Sequence, residues 1–115
     1  MTDESAALSK SRAEKKPLMI DFTADWCAAC HEFEEQVFQD PKVARVIQAS
    51  MIALRLDITD ENEVNGNLIS KYGILGLPSI IFIQPDGTPL PRRIHKLITP
   101  EEFLEIVSPI LTQNR

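Results

Sequence analysis

The sequence predicts an α/β fold, a central mixed β-sheet flanked by helices on both faces, and three observations predict it. Short apolar runs that read as strands alternate with segments of three- and four-residue periodicity. After a polar leader these give the order β-α-β-α-β-β-α, which demands helices on both sides of one sheet. The last two strands are joined by Pro85-Asp86-Gly87, a turn that makes them a hairpin.

The elements follow in order. Residues 1–16 (MTDESAALSKSRAEKK) are polar with few apolar anchors and read as a linker or a frayed helix, so the packed domain is expected over residues 17–113. Leu18 to Thr23 is a turn-bounded apolar run suited to a buried central strand, interrupted by a single carboxylate, Asp21. From Ala28 the spacing of Phe33 and Val37, then of Val43, Val46 and Ile47, is helical. Asp40-Pro41 divides this stretch as an N-cap followed by a proline at the first helical position. Met51 to Ile58 reads as the next strand. Asp60, with Glu63 three residues on, resembles the cap of a helix running through Tyr72 and closed by Gly73. Ser79 to Ile83 is a β-branched and aromatic strand, and its hairpin partner is expected around Arg92–Lys96. Thr99-Pro100-Glu101-Glu102 opens a closing amphipathic helix carrying Phe103, Leu104, Val107, Ile110 and Leu111.

At 115 residues, 43% hydrophobic and 25% charged, the chain is long enough for one core and too short for two. A net charge of -5 argues against a nucleic-acid partner, because phosphate binding relies on clustered cations; the basic pairs Lys15-Lys16 and Arg92-Arg93 read as solvated ends and edges. No stretch approaches the roughly 18 apolar residues of a membrane span, and the first 20 residues lack the core of a signal peptide. The chain as it stands is expected to be soluble, which is compatible with a module of a longer exported or membrane protein. Two cysteines are too few for a disulfide scaffold or a closed zinc site, so neither a metal nor a cofactor is expected.

The chemistry concentrates at Trp26-Cys27-Ala28-Ala29-Cys30, where the first strand stops and a helix starts. Unpaired backbone N–H groups and the helix dipole favour an anion there, so Cys27 is the candidate nucleophile and Cys30, one turn further in, the partner that closes the ring. Asp21 lies six residues before Cys27. Glu34 lies four after Cys30 and seven after Cys27, a spacing that can return to the same helical face. A buried carboxylate resists ionisation and can accept or relay the proton of a second thiol.

Together with Trp26, the later Gly76-Leu77-Pro78 completes a pattern that resembles the thioredoxin superfamily. More specifically, Ala24-Asp25-Trp26-Cys27-Ala28-Ala29-Cys30-His31-Glu32-Phe33-Glu34, Phe38-Gln39-Asp40-Pro41-Lys42-Val43 and Leu75-Gly76-Leu77-Pro78-Ser79 are similar to the C-terminal domain of the DsbD family, over roughly residues 16–108. The resemblance implies a thioredoxin-like fold and protein-disulfide reductase activity through Cys27 and Cys30. It also implies that Pro78 is cis beside the dithiol, that Asp21 sits beneath it, and that Glu34 joins Asp21 in raising the nucleophile's pKa. Trp26, Leu77 and Pro78 would form the partner-docking surface. The implied partners are a membrane-embedded electron donor domain and a periplasmic acceptor domain, the implied compartment is the periplasm, and the domain is expected to be a monomer. His31 stands where that family usually has Lys, so the local electrostatics differ.

Other readings fit part of the pattern. A free-standing thioredoxin-like reductase or a disulfide isomerase would use the same pair, although Ala28-Ala29 is neither the Gly-Pro of thioredoxins nor the Pro-His of oxidising relatives. Cys27-Ala28-Ala29-Cys30-His31 also satisfies the attachment signature of c-type haem, but such domains are generally helical and this motif directly follows a strand. His95, among Arg92, Arg93 and Lys96, reads as an exposed strand residue rather than a ligand.

Overall fold

The computed structural model describes residues 1–113 and contains the mixed sheet that the element order demands. Strands β1 (Leu18–Thr23), β2 (Ile52–Asp57), β3 (Ser79–Ile83) and β4 (Pro89–Ile94) lie in the order β2-β1-β3-β4. β1 is parallel to β2 and antiparallel to β3, and β3 is antiparallel to β4. Because successive strand residues point to opposite faces, Leu18, Ile20 and Phe22 of β1 join Leu54, Leu56, Ile81 and Ile83 in one core. Met19 joins Ile80 and Phe82 in the other.

Helices α1 (Glu4–Glu14) and α4 (Glu63–Tyr72) supply Ala7, Leu8, Leu68, Ile69 and Tyr72 to the first core. The second is covered by α2 (Ala28–Phe33), a π-helical turn (Glu34–Phe38), α3 (Pro41–Ser50) and α5 (Pro100–Gln113), through Phe33, Val37, Val43, Phe103 and Val107. The Gln39 N–H reaches the Glu34 carbonyl at 3.1 Å, which inserts one extra residue before Asp40 caps α3 through the N–H groups of Lys42 and Val43. Thr99 and Glu102 cap α5 reciprocally, each side chain accepting the other's backbone N–H at 3.1 Å.

Three local expectations are revised. The segment read as a linker or frayed helix forms α1, capped by Asp3, with Ala7 fully covered and Ser11 bonded to the Lys16 carbonyl at 2.6 Å. Its weak sequence signal has a physical cause. The helix packs through Ala7, Leu8 and Ser11 rather than a broad apolar stripe, and through Glu4, which accepts from Lys71 Nζ at 2.6 Å and from the Tyr72 hydroxyl; such distant partners leave no periodic trace. Helix α4 is capped by Asn62, whose side chain accepts the Asn65 N–H at 2.8 Å, while Asp60 contributes only its carbonyl, to Asn65 Nδ2. Gly73 closes α4 with φ +63°, as expected. Strand β4 runs earlier than Arg92–Lys96 because Gly87, at φ +93°, closes a short turn in which the Gln84 N–H meets the Thr88 carbonyl. Pro89 and Pro91 are tolerated since β4 is an edge strand.

Replacing Ala7 by Asn places an amide at a fully covered position and is expected to cost about 1–3 kcal/mol. A thermal melt followed by circular dichroism reads this as a lowered midpoint; an unchanged melt would show that α1 contributes nothing to the fold's stability.

Candidate functional site

β1 ends inside the molecule, and its last residues carry the chain directly into α2. The ladder with β2 continues one step beyond the strands, where the Ile58 N–H meets the Thr23 carbonyl at 2.8 Å. A tight turn then brings the Cys27 N–H to the Ala24 carbonyl at 3.1 Å. Cys27 is thereby set as the N-cap of α2, in extended conformation, and its sulfur accepts the Cys30 N–H at 3.1 Å. A sulfur so placed receives a hydrogen bond and the helix dipole in support of negative charge. Cys27 and Cys30 are joined in a disulfide with Cα atoms 5.3 Å apart. Both are nearly covered, at 6% and 7% exposure, and Cys30 Sγ lies 4.0 Å from the Phe22 carbonyl oxygen.

The loop in front of the pair is pinned from β2. Asp57 accepts both the N–H and the hydroxyl of Thr59, bonds that hold its carboxyl below the usual carboxylate range. Thr59 in turn accepts the Asp25 N–H on its hydroxyl at 2.8 Å and the Trp26 indole N–H on its carbonyl at 3.4 Å. Trp26 is thus fixed at one edge while its ring remains 67% exposed. His31 Nε2 donates to the Asp25 carbonyl at 3.0 Å, closing the loop from the helix side. The haem alternative fares poorly here: His31 is bonded back to its own loop, and the motif opens a helix that packs on a four-stranded sheet.

Leu77 packs against Ala24, Cys27 and Cys30, and the Leu77–Pro78 peptide bond is cis. Pro78 is buried, and the Ser79 hydroxyl holds the loop by donating to the Gly76 carbonyl at 2.7 Å. Beside this loop runs an open groove of about 620 Å³, lined by Trp26, Ile69, Ile74, Leu75 and Leu77 and rimmed by Asp60, Glu61 and Glu63. Leu75, in the lining of this groove, is 99% exposed.

Asp21 and Glu34 meet, through a residue the sequence reading passed over. The alternation of β2 buries Ile52, Leu54 and Leu56 in the first core and turns Ala53 and Arg55 to the other face. Parallel register then sets Arg55 directly beside Asp21. Arg55 Nε lies 3.6 Å from Asp21 Oδ2, and Arg55 Nη2 donates to Glu34 Oε2 from the π-helical turn. Asp21, with a side chain only 14% exposed, is pushed up to about 6 by burial; the Arg55 cation opposes that rise and the Glu34 carboxylate adds to it. The period-two pattern of β2 was legible. The register that pairs position 55 with position 21 was not, because it depends on contacts across the sheet. Thr59 could have been found from its spacing after Asp57, which fits an Asx-type turn.

The raised carboxyl makes stability depend on pH. Its folded value lies above the unfolded value of about 3.9, so between these values the folded chain binds more protons than the unfolded one. The group's contribution is present in full below about pH 4 and is lost as pH rises through about 6. Asp21→Asn is therefore expected to gain stability relative to the wild type between about pH 4 and pH 7, by roughly 2–3 kcal/mol. Denaturant titrations of the oxidised proteins check this; a stability gap that stays constant with pH would mean that Asp21 titrates as a free carboxyl.

The Thioredoxin-like family matches residues 1–85 of the chain. The thiol:disulfide interchange protein DsbD of Yersinia pestis (strain Pestoides F) is 38% identical over 96 residues, 83% of this chain and 16% of that protein. The DsbD of Pectobacterium atrosepticum is 36% identical over 104 residues, 90% of this chain and 17% of that protein. The chain thus spans about one sixth of the length of these curated relatives. The reduced C-terminal domain of Neisseria meningitidis DsbD superposes with a TM-score of 0.79 at 26% identity, covering 96% of this chain and 93% of that one. A thioredoxin from Thermus thermophilus shares the fold, with a TM-score of 0.84 at 20% identity over 98% of this chain and 87% of that one. By the extent of the family match, the fold and the cysteine pair at the strand–helix junction, the chain belongs to the Thioredoxin-like family.

Proposed function

We propose that this chain is a thiol–disulfide oxidoreductase domain that passes reducing equivalents through Cys27 and Cys30, in the manner of the C-terminal domain of a DsbD-type reductase. One observation carries the reading: the two cysteines are bonded to each other at the start of α2, with the Cys27 sulfur accepting a backbone N–H. In the reduced state that bond supports a Cys27 thiolate, which attacks a sulfur of the partner's disulfide. A mixed disulfide forms, and the partner's other sulfur leaves as a thiolate. Cys30 then gives up its proton, and its thiolate attacks Cys27 Sγ. The internal disulfide closes and the partner departs with both sulfurs reduced, having gained two electrons; its thiolates take up protons from solvent. Run backwards, the same steps recharge the domain from a donor dithiol. Asp21, adjacent to Phe22 whose carbonyl faces Cys30 Sγ, is the group proposed to take the Cys30 proton.

The DsbD likeness supports partners of two kinds, a membrane-embedded donor domain and a periplasmic acceptor domain, met one at a time by a monomer in the periplasm. No helix among the described residues is long and apolar enough to cross a membrane. Trp26, Leu77 and Pro78 are the proposed docking surface, where the backbone beside Pro78 can pair with an extended segment. The groove that continues this surface pairs apolar walls with the carboxylates of Asp60, Glu61 and Glu63 and has no cationic side chain in its lining. Its best-matched occupant is an extended protein segment carrying Lys or Arg beside an apolar residue and the reactive cysteine.

Two measurements test this. Cys30→Ser should accumulate mixed disulfides on Cys27 that reducing agent releases, whereas Cys27→Ser should trap none; equal trapping by both variants would sink the assignment of the nucleophile. With model peptide disulfides, cationic flanks should react several-fold faster than anionic ones, and added salt should shrink the difference. Rates blind to flanking charge would detach the acidic rim from docking.

A further inference from the structure

The basic pair Arg92-Arg93, expected at a solvated edge, divides its members: Arg92 is exposed and Arg93 is half-buried. Arg93 pairs across the sheet with Ile81 of β3, and cross-strand partners share a face. Ile81 belongs to the first core, so Arg93 projects to the side on which α4 packs. There its Nη1 donates to the Gly73 carbonyl at 3.2 Å. Among the described residues Arg93 forms no ion pair with a carboxylate. Its cation is committed instead to the C-terminal end of a helix, where the backbone dipole favours positive charge. Lys71, the other cation of that turn, is taken by Glu4.

What Arg93 holds is the start of the loop that reaches the cysteines. Gly73 closes α4 in the left-handed conformation, with its N–H on the Ser70 carbonyl at 3.3 Å, and the Ile74 N–H returns to the Ile69 carbonyl at 2.9 Å. Arg93 Nη1 lies 3.9 Å from the position a Cβ on Gly73 would take, so the guanidinium also packs against the turn. Further on, Leu77 packs against Cys27 and Cys30 and the chain passes through the cis bond to Pro78. Between turn and cysteines, Leu75 is exposed and Gly76 has open space on its side-chain face. The loop is fastened at its start by Arg93 and the buried Ile74 side chain, and at its far end by the Ser79 hydroxyl on the Gly76 carbonyl.

We infer that Arg93 is a positioning residue of the docking loop: by tying the Gly73 turn to β4, it fixes where Leu77 and Pro78 stand when a protein segment binds. This rests on the oxidoreductase reading, in which those two residues receive the partner. A partner that pairs its backbone beside Pro78 gains from finding that backbone already in place, whereas a small disulfide needs only the Cys27 sulfur. Arginine suits the task because its planar head can donate while lying against the turn, which an ammonium cannot do. Ile74 anchors the same turn by burial, so losing the Arg93 bond loosens the loop without unfolding the domain.

The reduced protein is tested with two probes, a small neutral disulfide such as hydroxyethyl disulfide and an extended peptide disulfide with lysine flanks. Arg93→Met should lower the ratio of peptide to small-disulfide rates several-fold, and Arg93→Lys should recover part of it. Hydrogen exchange of the Ile74 amide should quicken in Arg93→Met relative to the amides of β1. Should Arg93→Met not fold, Arg93→Gln takes its place with the same expectation. A ratio unmoved in a folded variant overturns the proposal, as do equal losses with both probes. A lowered ratio with unaltered Ile74 exchange overturns it too, because Arg93 would then act on the peptide directly. Wild-type protein inert toward the small disulfide would instead defeat the oxidoreductase reading, whatever Ile74 shows.

Discussion

Strand β1 is paired along both edges and buried on both faces, and the position of every group at the site follows from that. Because its hydrogen bonds are taken by β2 on one side and β3 on the other, the strand can end only within the fold, where α2 begins. The parallel neighbour brings Arg55 and, past its end, Asp57 and Thr59 to the same end of the sheet. The antiparallel neighbour starts at Ser79, immediately after the cis Leu77–Pro78 bond, and so delivers that loop to the cysteines. Sulfur, acid and loop are thus consequences of one strand's pairing.

That architecture also explains which features could be read in advance. Asp21 stood out because a carboxylate in a buried apolar run is costly, and Cys27 because a C-x-x-C pair after a strand carries its own chemistry. Asp40-Pro41 and Thr99 to Glu102 were legible as caps since a cap is a local interaction within four residues. What escaped was set by distance in the chain. Helix α1 is secured through Lys71 and Tyr72, and Arg55 matters only because register puts it beside Asp21 and the π-helical turn puts Glu34 within its reach. The misplaced start of β4 is of another kind: a strand opening with Pro89 looks like a loop until its edge position is known.

Glu34 changes meaning once its partner is seen. Spacing along the helix suggested a direct approach to the dithiol, whereas the structure commits its carboxylate to Arg55. The two acids form one unit with a cation between them.

The prolines of β4 have an effect beyond the hairpin. Pro89 and Pro91 remove two amide donors from one margin of the sheet, and on the opposite margin Met1 engages β2 through Ala53 and Arg55. Neither border offers an uninterrupted ladder to another copy of the chain. A chain whose proposed work is to receive foreign strands at one loop thus carries broken hydrogen-bond ladders along both borders of its sheet.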